Sequence, residues 1–258
     1  MKVTVVKIGG STLGNHDTTI EDLVTLQKRD MPVVVIHGGA RAVSDWLNRL
    51  GISTNFSGGL RITDLETLRV VTAVLAGLVN KDLVSAIEVA GGKAVGLSGV
   101  DGGLVWAKNM TPGLGYTGEE LKIDIDLLEA VLKAGYIPVV APVSLGSTEE
   151  LRRDTNLLNV NGDTVGGEIA AALNAEKLIF LTDVPGLYDD SKKLMHRLSP
   201  SEASALVTCG TASGGMATKI EACLIALTRV SVTRIIDGRV PHALLNEIEG
   251  IGDGTTIA

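Results

Sequence analysis

Two lysines near opposite ends of the chain each lie beside a pair of glycines. Lys7 precedes Gly9-Gly10, and Lys219 follows Gly214-Gly215. Glycines let backbone N–H groups approach a polyanion closely, and a lysine ammonium supplies a compact, mobile positive charge. The pattern therefore favours a site that handles phosphate groups. Taken alone, either lysine also fits a surface charge beside a turn glycine.

The chain as a whole is acidic, with a formal net charge of −7. Its overall field disfavours anionic ligands, so a phosphate or carboxylate site must be built locally. Aromatic residues make up only 3% of the chain, and no basic run occurs. A nucleic-acid partner is therefore not expected.

The composition also bears on the cellular compartment. Met1 leads directly into the strand-like segment 2–6, without the features of a signal peptide. No uninterrupted apolar run reaches the roughly 18–20 residues of a membrane span. The two cysteines, Cys209 and Cys223, make no disulfide framework, and neither has the surroundings of a catalytic thiol. We expect a cytoplasmic protein with no membrane partner.

Short apolar runs alternate with helical patterns along the chain. The runs are largely apolar on both faces, as in strands buried in a parallel sheet, and lie at 3–8, 33–37, 94–97, 138–142, 178–182 and 234–237. Thr63-Asp64 indicates a helix cap before apolar residues at three- and four-residue spacing up to Leu78, which predicts a long core helix. Further helices are predicted near 17–29, 41–50, 124–134, 163–174, 216–228 and 241–248, the last with Pro241 in its first turn.

The repeated β-α order predicts the α/β class, as a three-layer αβα sandwich with a mainly parallel central sheet. The 258 residues suffice for a single domain with a large core. No linker or internal repeat divides them, so two lobes would share one continuous sheet. Segment 104–122 shows neither the apolar period of a helix nor that of a strand. Its Gly-Tyr-Thr-Gly spacing predicts a hairpin or an excursion from the sheet.

Ligands of open α/β sheets gather beyond the carboxyl ends of the strands. Three predicted strand exits carry turn-forming residues: Gly9-Gly10, His37-Gly38-Gly39 and Thr182 to Tyr188. Two better-known nucleotide motifs do not apply. Gly113 to Gly118 matches G-x-G-x-x-G but follows no apolar strand, and Gly91-Gly92-Lys93 lacks the next hydroxyl of a P-loop.

A set of motifs runs in order along the chain: Lys7-Ile8-Gly9-Gly10, His37-Gly38-Gly39, Ser57 to Asp64, Asn159 to Asp163, Thr182 to Gly186, and Gly214 to Lys219. Together they resemble the amino-acid kinase family, which has a carbamate kinase-like fold. Segments 79–82, 96–99 and 236–242 look like further parts of the members that act on N-acetyl-L-glutamate. The resemblance covers essentially the whole chain. It implies transfer of the γ-phosphoryl of ATP to the side-chain carboxylate of N-acetyl-L-glutamate, which yields an acyl phosphate in arginine biosynthesis.

In such a transfer two anions meet in line, so positioning and electrostatic stabilisation dominate catalysis. The resemblance implies that Lys7 and Lys219 neutralise the transferred charge, with N–H groups around Gly10 and Gly39 as fixed donors. It assigns Asp163 to hold the lysines in place. An N-cap for the helix that starts there is an alternative role for Asp163, and both roles can hold at once.

The acceptor needs a cation for its α-carboxylate and neutral contacts for its acetamido group. Arg61 can bind a carboxylate through two parallel hydrogen bonds, and Asn159 can pair with an amide or a carboxylate. The resemblance adds Gly38 and Gly39 to this side. Without the resemblance, Arg61 would be interpreted as a solvated surface residue.

On the nucleotide side, the resemblance implies two loops in addition to the lysines. The ATP-binding residues it gives are Lys7, Gly9, Asp183, Val184, Pro185, Gly186, Leu187, Tyr188, Thr211, Ala212, Ser213 and Lys219. Mg²⁺ prefers few protein ligands, so we expect the nucleotide phosphates to hold it and name no metal-binding residue. Residues 1–174 are expected to form an acceptor-binding N-lobe and residues 175–258 a nucleotide-binding C-lobe. His37 is interpreted as structural, because a carboxylate nucleophile needs no general base.

The chain departs from the family pattern in two places. Its second glycine loop continues with Ala40 where a third glycine is usual, and Gly162-Asp163-Thr164-Val165 replaces the commoner Ala-Asp-Gln-Ala. Family members inhibited by arginine carry an additional N-terminal helix that links dimers into a hexamer, whereas Lys7 lies close to the start of this chain. We therefore expect a homodimer without arginine inhibition.

Other functions stay open from the sequence. A sister kinase for carrier-protein-linked aminoadipate fits several of the same segments, although residues 57–61 favour the free acetylated amino acid. A glutamate kinase fits less well, because such enzymes commonly carry an additional C-terminal domain. A catalytically silent nucleotide- or arginine-binding module is opposed by the presence of Lys7, Asp163 and Lys219. A Rossmann oxidoreductase is disfavoured, because the G-x-G-x-x-G match at Gly113 to Gly118 does not follow an apolar strand.

Overall fold

The computed structural model describes residues 2–10, 18–109, 113–147, 154–189 and 191–258. Its strands are β1 (Thr4–Ile8), β2 (Val33–His37), β3 (Phe56–Ser57), β4 (Leu60–Arg61), β5 (Ala94–Ser98), β6 (Val105–Asn109), β7 (Thr117–Ile123), β8 (Ile137–Ala141), β9 (Val143–Gly146), β10 (Leu157–Val160), β11 (Lys177–Thr182), β12 (Arg197–Leu198), β13 (Thr233–Asp237) and β14 (Thr255–Ile257). Its α-helices are α1 (Thr19–Lys28), α2 (Ala40–Arg49), α3 (Leu65–Thr72), α4 (Asn80–Val89), α5 (Asp126–Lys133), α6 (Gly162–Ala172), α7 (Pro200–Thr208), α8 (Gly215–Ala226) and α9 (Ala243–Ile248).

Eight of the described strands form one sheet, in the order β12-β14-β13-β11-β1-β2-β8-β5. β1 lies near its middle and pairs in parallel with β11 and β2, so that Val6 lies opposite Ile179 and Val35. Among the strand pairs described for this sheet, only β13 and β14 are antiparallel. The predicted, mainly parallel sheet is confirmed, and its six predicted strands each begin and end within one residue of the observed bounds.

Side chains of the central strands alternate between the two faces of the sheet. On one face Val5 and Ile36 pack into a core that includes residues of α5, α6, α7 and α8. On the other face Val6 and Val35 pack into a core with residues of α1 and α4, and α9 closes the same layer. The predicted three-layer αβα sandwich is therefore confirmed.

The sheet runs without a break through both predicted lobes. β1, β2, β5 and β8 come from residues 1–174, and β11 to β14 come from residues 175–258. The continuity agrees with lobes that share a sheet. The division of the chain into an acceptor lobe and a nucleotide lobe stays a prediction.

The long core helix begins as predicted and extends beyond Leu78. Asp64 caps it by accepting a hydrogen bond from the Thr67 N–H at 2.7 Å, and a π-helical segment, Ala73–Val79, joins α3 to α4. By length and composition the helix Leu65–Val89 is apolar enough to cross a membrane, with a mean hydropathy of 1.6 in its most apolar window. Charged residues such as Glu66, Arg69 and Lys81 interrupt it, so it is not an uninterrupted apolar run of that length. Side chains along one side, such as Leu68 and Ile87, are buried in the protein, as in a core helix.

Four further described strands, β6, β7, β9 and β10, close into a small barrel. β6 and β7 are antiparallel, which confirms the hairpin predicted within 104–122, although its residues 110–112 lie outside the described residues. β9, β10 and the hairpin of β3 and β4 were not predicted, because strands of two to four residues show too few positions for a period. α7 was also missed, although Ser199 and Glu202 form a capping box before it.

The start of α9 corrects another expectation. The helix begins at Ala243, so Pro241 precedes it and does not occupy its first turn. His242 separates the two with a left-handed φ of 55°, and its N–H donates to Oγ1 of Thr18 at 2.6 Å. This hydrogen bond links the turn before α9 to the residue that precedes α1. Residue 17, in the first predicted helix, lies outside the described residues.

Candidate active site

The centre of the candidate site is Asp163, in the first turn of α6. Asn161 caps this helix, and its Oδ1 accepts the Asp163 N–H at 2.7 Å. Lys7 in β1 points to the same side of the sheet as Val5, which is the side covered by α6. The local folding of β1 and α6 therefore brings a lysine and an aspartate together beyond the middle of the sheet.

Lys219 reaches the same carboxylate from α8. Its approach depends on Gly167, because a Cβ there would lie 2.5 Å from the carbonyl oxygen of Ala222. The missing side chain lets α6 and α8 pack closely. Nζ of Lys219 lies 3.1 Å from Oδ2 of Asp163, and Nζ of Lys7 lies 2.6 Å from Oδ1.

The three charged side chains form a buried cluster. Exposure of the side chain is 8% for Lys7, 6% for Asp163 and 17% for Lys219. Burial alone would raise the pKa of Asp163, but the attraction of Lys7 and Lys219 outweighs it and lowers the pKa below its usual range. The carboxylate is thus ionised, and the cluster carries one net positive charge that favours an anionic ligand.

Two backbone N–H groups lie beside this cluster. Gly10 and Gly39 approach so closely that a Cβ on Gly10 would lie 3.1 Å from the Gly39 nitrogen. Within the part of the chain that the structure describes, neither N–H has a hydrogen-bond partner. Gly39 also precedes the N-terminus of α2, where the helix dipole favours negative charge. These donors and the lysines can hold the oxygens of a phosphoryl group.

A cavity of about 400 Å³ opens at the cluster. It brings together all of the residues predicted for catalysis and acceptor binding, namely Lys7, Gly10, Gly38, Gly39, Arg61, Asn159, Asp163 and Lys219. The volume is that of a small-molecule site. Residues from five separate segments of the sequence therefore meet in one space.

Arg61 lies buried in the wall of this cavity and not on a solvated surface. Its Nη2 donates to the Ala40 carbonyl at 3.0 Å and to Oγ of Ser44 at 2.9 Å. Its guanidinium carbon lies 4.7 Å from the ring centre of Phe56, the partner of Arg61 in the β3–β4 hairpin. Burial lowers the pKa of Arg61 from its usual value. Its Nη1 is buried without a partner among the described residues, so a carboxylate of a ligand can satisfy it.

Asn159 lies in β10 on another side of the cavity. Its Nδ2 donates to Oγ1 of Thr63 at 3.1 Å, and its backbone pairs with Thr117 of β7 and Val143 of β9. The barrel thus fixes the amide near the acceptor space. The side-chain oxygen of Asn159 is available to accept a hydrogen bond from a ligand N–H.

The residues predicted to bind the nucleotide do not all line this cavity. Lys7 and Lys219 do, whereas Gly9, Asp183 to Tyr188 and Thr211 to Ser213 are absent from its lining. Asp183 to Tyr188 follow β11 at the same edge of the sheet. Leu187 is buried in the core, its N–H donates to Thr255 Oγ1 at 2.8 Å and its carbonyl accepts from Met195 at 2.8 Å.

The loop at 211–213 lies between α7 and α8. Ala212 is buried and its N–H donates to the Leu206 carbonyl at 2.9 Å, whereas Thr211 and Ser213 are exposed. The nucleotide contacts of both loops stay predictions.

Several lining residues were missed by sequence reasoning. An apolar wall consists of Val43, Phe56, Leu60, Val71 and Leu75. These residues carry no chemical signal, because apolar residues at helical spacing are ordinarily core. Thr218 was also missed: its Oγ1 lies 3.2 Å from Oδ2 of Asp163. Its position beside Lys219 in α8 could have drawn attention to it.

The described residues contain no group of three or more His, Cys, Asp or Glu side chains that could hold a metal ion. In the cavity, both oxygens of Asp163 already bind ammonium groups. This donor set fits a divalent cation that arrives with a phosphate ligand and keeps few protein contacts.

Comparisons with known proteins agree with this geometry. A model of the Amino acid kinase family matches residues 2–237. The acetylglutamate kinase of Dehalococcoides mccartyi (strain BAV1) is 44% identical over 255 residues, which cover 99% of this chain and 94% of that protein. An N-acetylglutamate synthase from Neisseria gonorrhoeae was solved with coenzyme A and N-acetyl-glutamate. It superposes with a TM-score of 0.84 at 26% identity, and the match covers 100% of this chain and 59% of the synthase chain. The carbamate kinase of Giardia lamblia bound to AMP-PNP has a TM-score of 0.72 at 14% identity over 99% of this chain and 98% of its own, and shares the fold.

Proposed function

The chain belongs to the amino acid kinase family, and we propose that it catalyses the ATP-dependent phosphorylation of N-acetyl-L-glutamate. The product is N-acetyl-L-glutamyl 5-phosphate, formed on the side-chain carboxylate, in a step of arginine biosynthesis. Full-length similarity to a protein named acetylglutamate kinase supports the substrate. The structural observation that carries the proposal is the meeting of Lys7 and Lys219 at Asp163, on the rim of a cavity that also holds Arg61.

The reaction requires an in-line transfer between two anions. A carboxylate oxygen of the acceptor forms a bond to the γ-phosphorus, and the bond from that phosphorus to the β–γ bridging oxygen breaks, which leaves ADP. No proton has to move, because the nucleophile is already ionised. The residues of the site therefore act by placement and by charge.

Each charged group has a place in this transfer. Lys7 and Lys219 neutralise the oxygens of the transferred phosphoryl group, and the N–H groups of Gly10 and Gly39 donate to them. Asp163 holds both ammonium groups in position. Mg²⁺, held mainly by the nucleotide phosphates, would neutralise further charge on the β- and γ-phosphoryl oxygens.

The cavity wall suits an acetylated dicarboxylic amino acid. Nη1 of Arg61 has no partner among the described residues and can bind the α-carboxylate. Asn159, with Gly38 and Gly39 nearby, can contact the acetamido group. The apolar side chains of Val71 and Leu75 offer a surface for the acetyl methyl group. A free α-ammonium would face this surface without a partner, which disfavours unacetylated glutamate.

The remaining assignments concern the nucleotide and the two lobes. We infer that ATP lies across Gly9, residues 183–188 and residues 211–213, with residues 175–258 as its lobe and residues 1–174 as the acceptor lobe. All of these loops follow strands or precede helices at one edge of the sheet, and Gly59 of the acceptor-side hairpin lies against Gly214 at the start of α8. Through that contact, a movement of one lobe would displace the other.

We also infer a cytoplasmic homodimer. Leu78 and Val89 of the long helix are 43% and 86% exposed, and a second copy would cover such apolar side chains. The chain has only two cysteines, the exposed Cys209 and the buried Cys223, and such sparse use of cysteine suits a reducing compartment. Light scattering of the purified protein tests the dimer by its mass.

A hydroxylamine assay tests the function. The protein is incubated with MgATP and hydroxylamine, which traps acyl phosphates as coloured hydroxamates, and N-acetyl-L-glutamate is compared with glutamate, aspartate and carrier-linked aminoadipate. The proposal expects a signal with N-acetyl-L-glutamate alone. A signal only with carrier-linked aminoadipate would reassign the enzyme, and no signal with any acceptor would favour a silent nucleotide- or arginine-binding module.

A further inference from the structure

A chain of buried polar groups lies behind the Gly38-Gly39 loop. His37, the last residue of β2, is fully buried. Its Nδ1 lies 2.8 Å from the Gly38 carbonyl oxygen, and its Nε2 lies 3.2 Å from Nδ2 of Asn80, the first residue of α4. His37 points to the face of the sheet that carries Val33 and Val35, opposite to Lys7. This chain of contacts therefore supports the glycine loop from outside the cavity.

The partners of Asn80 fix the orientation of its amide. Lys81 donates from Nζ to Oδ1 of Asn80 at 3.0 Å, whereas Nδ2 lies 2.8 Å from the Val139 carbonyl oxygen. Nδ2 also lies 3.2 Å from the Leu97 carbonyl oxygen, so the atom of Asn80 that faces His37 is the nitrogen, a donor, and it shares its two N–H groups among Val139, Leu97 and Nε2 of His37. The proton of the neutral ring lies on Nδ1, because the Gly38 carbonyl 2.8 Å away can only accept. That proton is the one donated to the Gly38 carbonyl.

The ring stays neutral at physiological pH. Burial is the largest cause and lowers the pKa of His37 to about 4. The hydrogen bond to Gly38 opposes this effect, while the nearby charges of Lys7 and Lys81 add to it. A neutral ring with one fixed tautomer can act as a permanent donor to the loop.

The bond to Gly38 sets the direction of the next N–H. The peptide between Gly38 and Gly39 is trans, since the described residues contain no cis peptide bond, and its C=O and N–H therefore point in opposite directions. A carbonyl held toward His37 turns the Gly39 N–H toward the side of Lys7. Gly39 lines the cavity there, and its N–H lacks a partner among the described residues.

The π-helical segment presses on the same loop. A Cβ on Gly39 would lie 2.6 Å from Cδ2 of Leu75 and 3.4 Å from Cγ2 of Val79. The segment ends where Asn80 begins α4. One stretch of helix thus supplies both the packing against Gly39 and the amide that orients His37, and π-helical turns are often found at functional sites.

We propose that His37, oriented by Asn80, is a positioning residue for phosphoryl transfer. Its Nδ1–H fixes the Gly38 carbonyl so that the Gly39 N–H meets the oxygens of the transferred phosphoryl group. The inference rests on the proposed function, in which that N–H stabilises the transition state. His37 itself touches no substrate and moves no proton.

Two substitutions distinguish the roles of the two ring nitrogens of His37. His37→Asn places an amide nitrogen near the position of Nδ1, and His37→Gln places its amide near the position of Nε2. We expect His37→Asn to keep at least about a third of kcat and His37→Gln to lose about 30-fold or more, with KM for ATP and N-acetyl-L-glutamate within about threefold of wild type. Equal losses in the two variants, better activity in His37→Gln, or changes confined to KM would overturn the proposal.

A measurement on the wild-type protein does not depend on folding of the variants or on turnover. In ¹⁵N-histidine NMR, we expect His37 to show the neutral Nδ1–H tautomer at every pH between about 5.5 and 8.5. The Nε2–H tautomer, or titration of His37 in this range, would contradict the inference. If the wild-type protein makes no acyl phosphate, the proposed function fails, whereas the NMR result still reports on the support of the loop.

Discussion

Nζ of Lys7 lies 2.6 Å from Oδ1 of Asp163, and both side chains are almost fully buried. Lys219 occupies the second oxygen of the same carboxylate. Removing one partner of a buried ion pair is costly, because the remaining charge stays out of water. The positive charge at the cavity therefore comes from buried lysines that are held by one aspartate. A local site of this kind allows a chain with a negative net charge to bind the phosphates of ATP.

Thr218 should help Asp163 to hold Lys219 in place for the nucleotide. Its Oγ1 lies 3.2 Å from Oδ2 of Asp163 and 3.0 Å from the Gly215 carbonyl. A hydrogen bond from the hydroxyl to Oδ2 fixes the carboxylate that orients Lys219. We expect Thr218→Val to lower kcat/KM for ATP about fivefold, which corresponds to the loss of one hydrogen bond of ~1 kcal/mol. Thr218→Ser keeps the hydroxyl and should stay within about twofold of wild type. Equal kinetics of Thr218→Val and wild type would exclude this role.

Arg61→Lys should weaken the binding of the acceptor and leave the binding of ATP unchanged. A lysine cannot keep the contacts with Ala40 and Ser44 and also offer a second planar donor to a carboxylate. We expect KM for N-acetyl-L-glutamate to rise about 10- to 100-fold, with KM for ATP unchanged. The matched control is Arg49→Lys, since Arg49 stacks on the exposed Trp46 outside the cavity. An equal change in both KM values would argue against a specific acceptor contact.

Gly167→Ala should separate two helices of the site. The added methyl group would lie 2.5 Å from the Ala222 carbonyl oxygen, so α8 has to move and carry Lys219 away from Asp163. We expect a loss of about 1–3 kcal/mol in the free energy of unfolding and a fall in kcat. Urea unfolding and steady-state kinetics measure the two effects. Glu168→Ala, in the next position of α6, is the control and should change kcat little. A Gly167→Ala enzyme with wild-type stability would contradict the packing argument.

The contact between α1 and the turn before α9 should depend on pH. Nδ1 of His242 lies 2.7 Å from Oδ1 of the buried Asp22, and this hydrogen bond raises the pKa of His242 above 6.5. A raised pKa means that the stabilisation is complete below about pH 6.5 and is lost as the pH rises through the raised value. We expect Tm to fall between about pH 6 and pH 9 more steeply in wild type than in His242→Gln. Parallel profiles of Tm against pH would show that the ion pair does not contribute.

The sequence predicted the strands of the central sheet because β-branched apolar runs between glycine-rich exits leave few alternatives. The resemblance of its motifs to a known family also implied that Lys7, Asp163 and Lys219 act at one site. It could not predict the β3–β4 hairpin, because two-residue strands have no period. The stacking of Arg61 on Phe56 depends on that hairpin and was therefore missed.

His37 shows a different limit of the sequence. Its interpretation as structural is consistent with its burial, but the letters His-Gly-Gly do not reveal a partner more than 40 positions away. The contact between Asn80 and His37 arises only because α4 packs on the face of the sheet to which His37 of β2 points. Polar networks of this kind form through tertiary contacts and leave no local spacing in the chain.

The central claim is that Lys7 and Lys219 act together on one phosphoryl group. Hydroxamate formation from N-acetyl-L-glutamate should be measured for wild type, Lys7→Met and Lys219→Met, each shown to be folded by its Tm. Lys2→Met is the control, because Lys2 forms an exposed ion pair with Glu176. We predict that each of the two cavity variants loses about 10²–10³ in kcat, or ~3–4 kcal/mol of transition-state stabilisation, while Lys2→Met keeps the wild-type rate. A wild-type rate in either Lys7→Met or Lys219→Met would contradict the account.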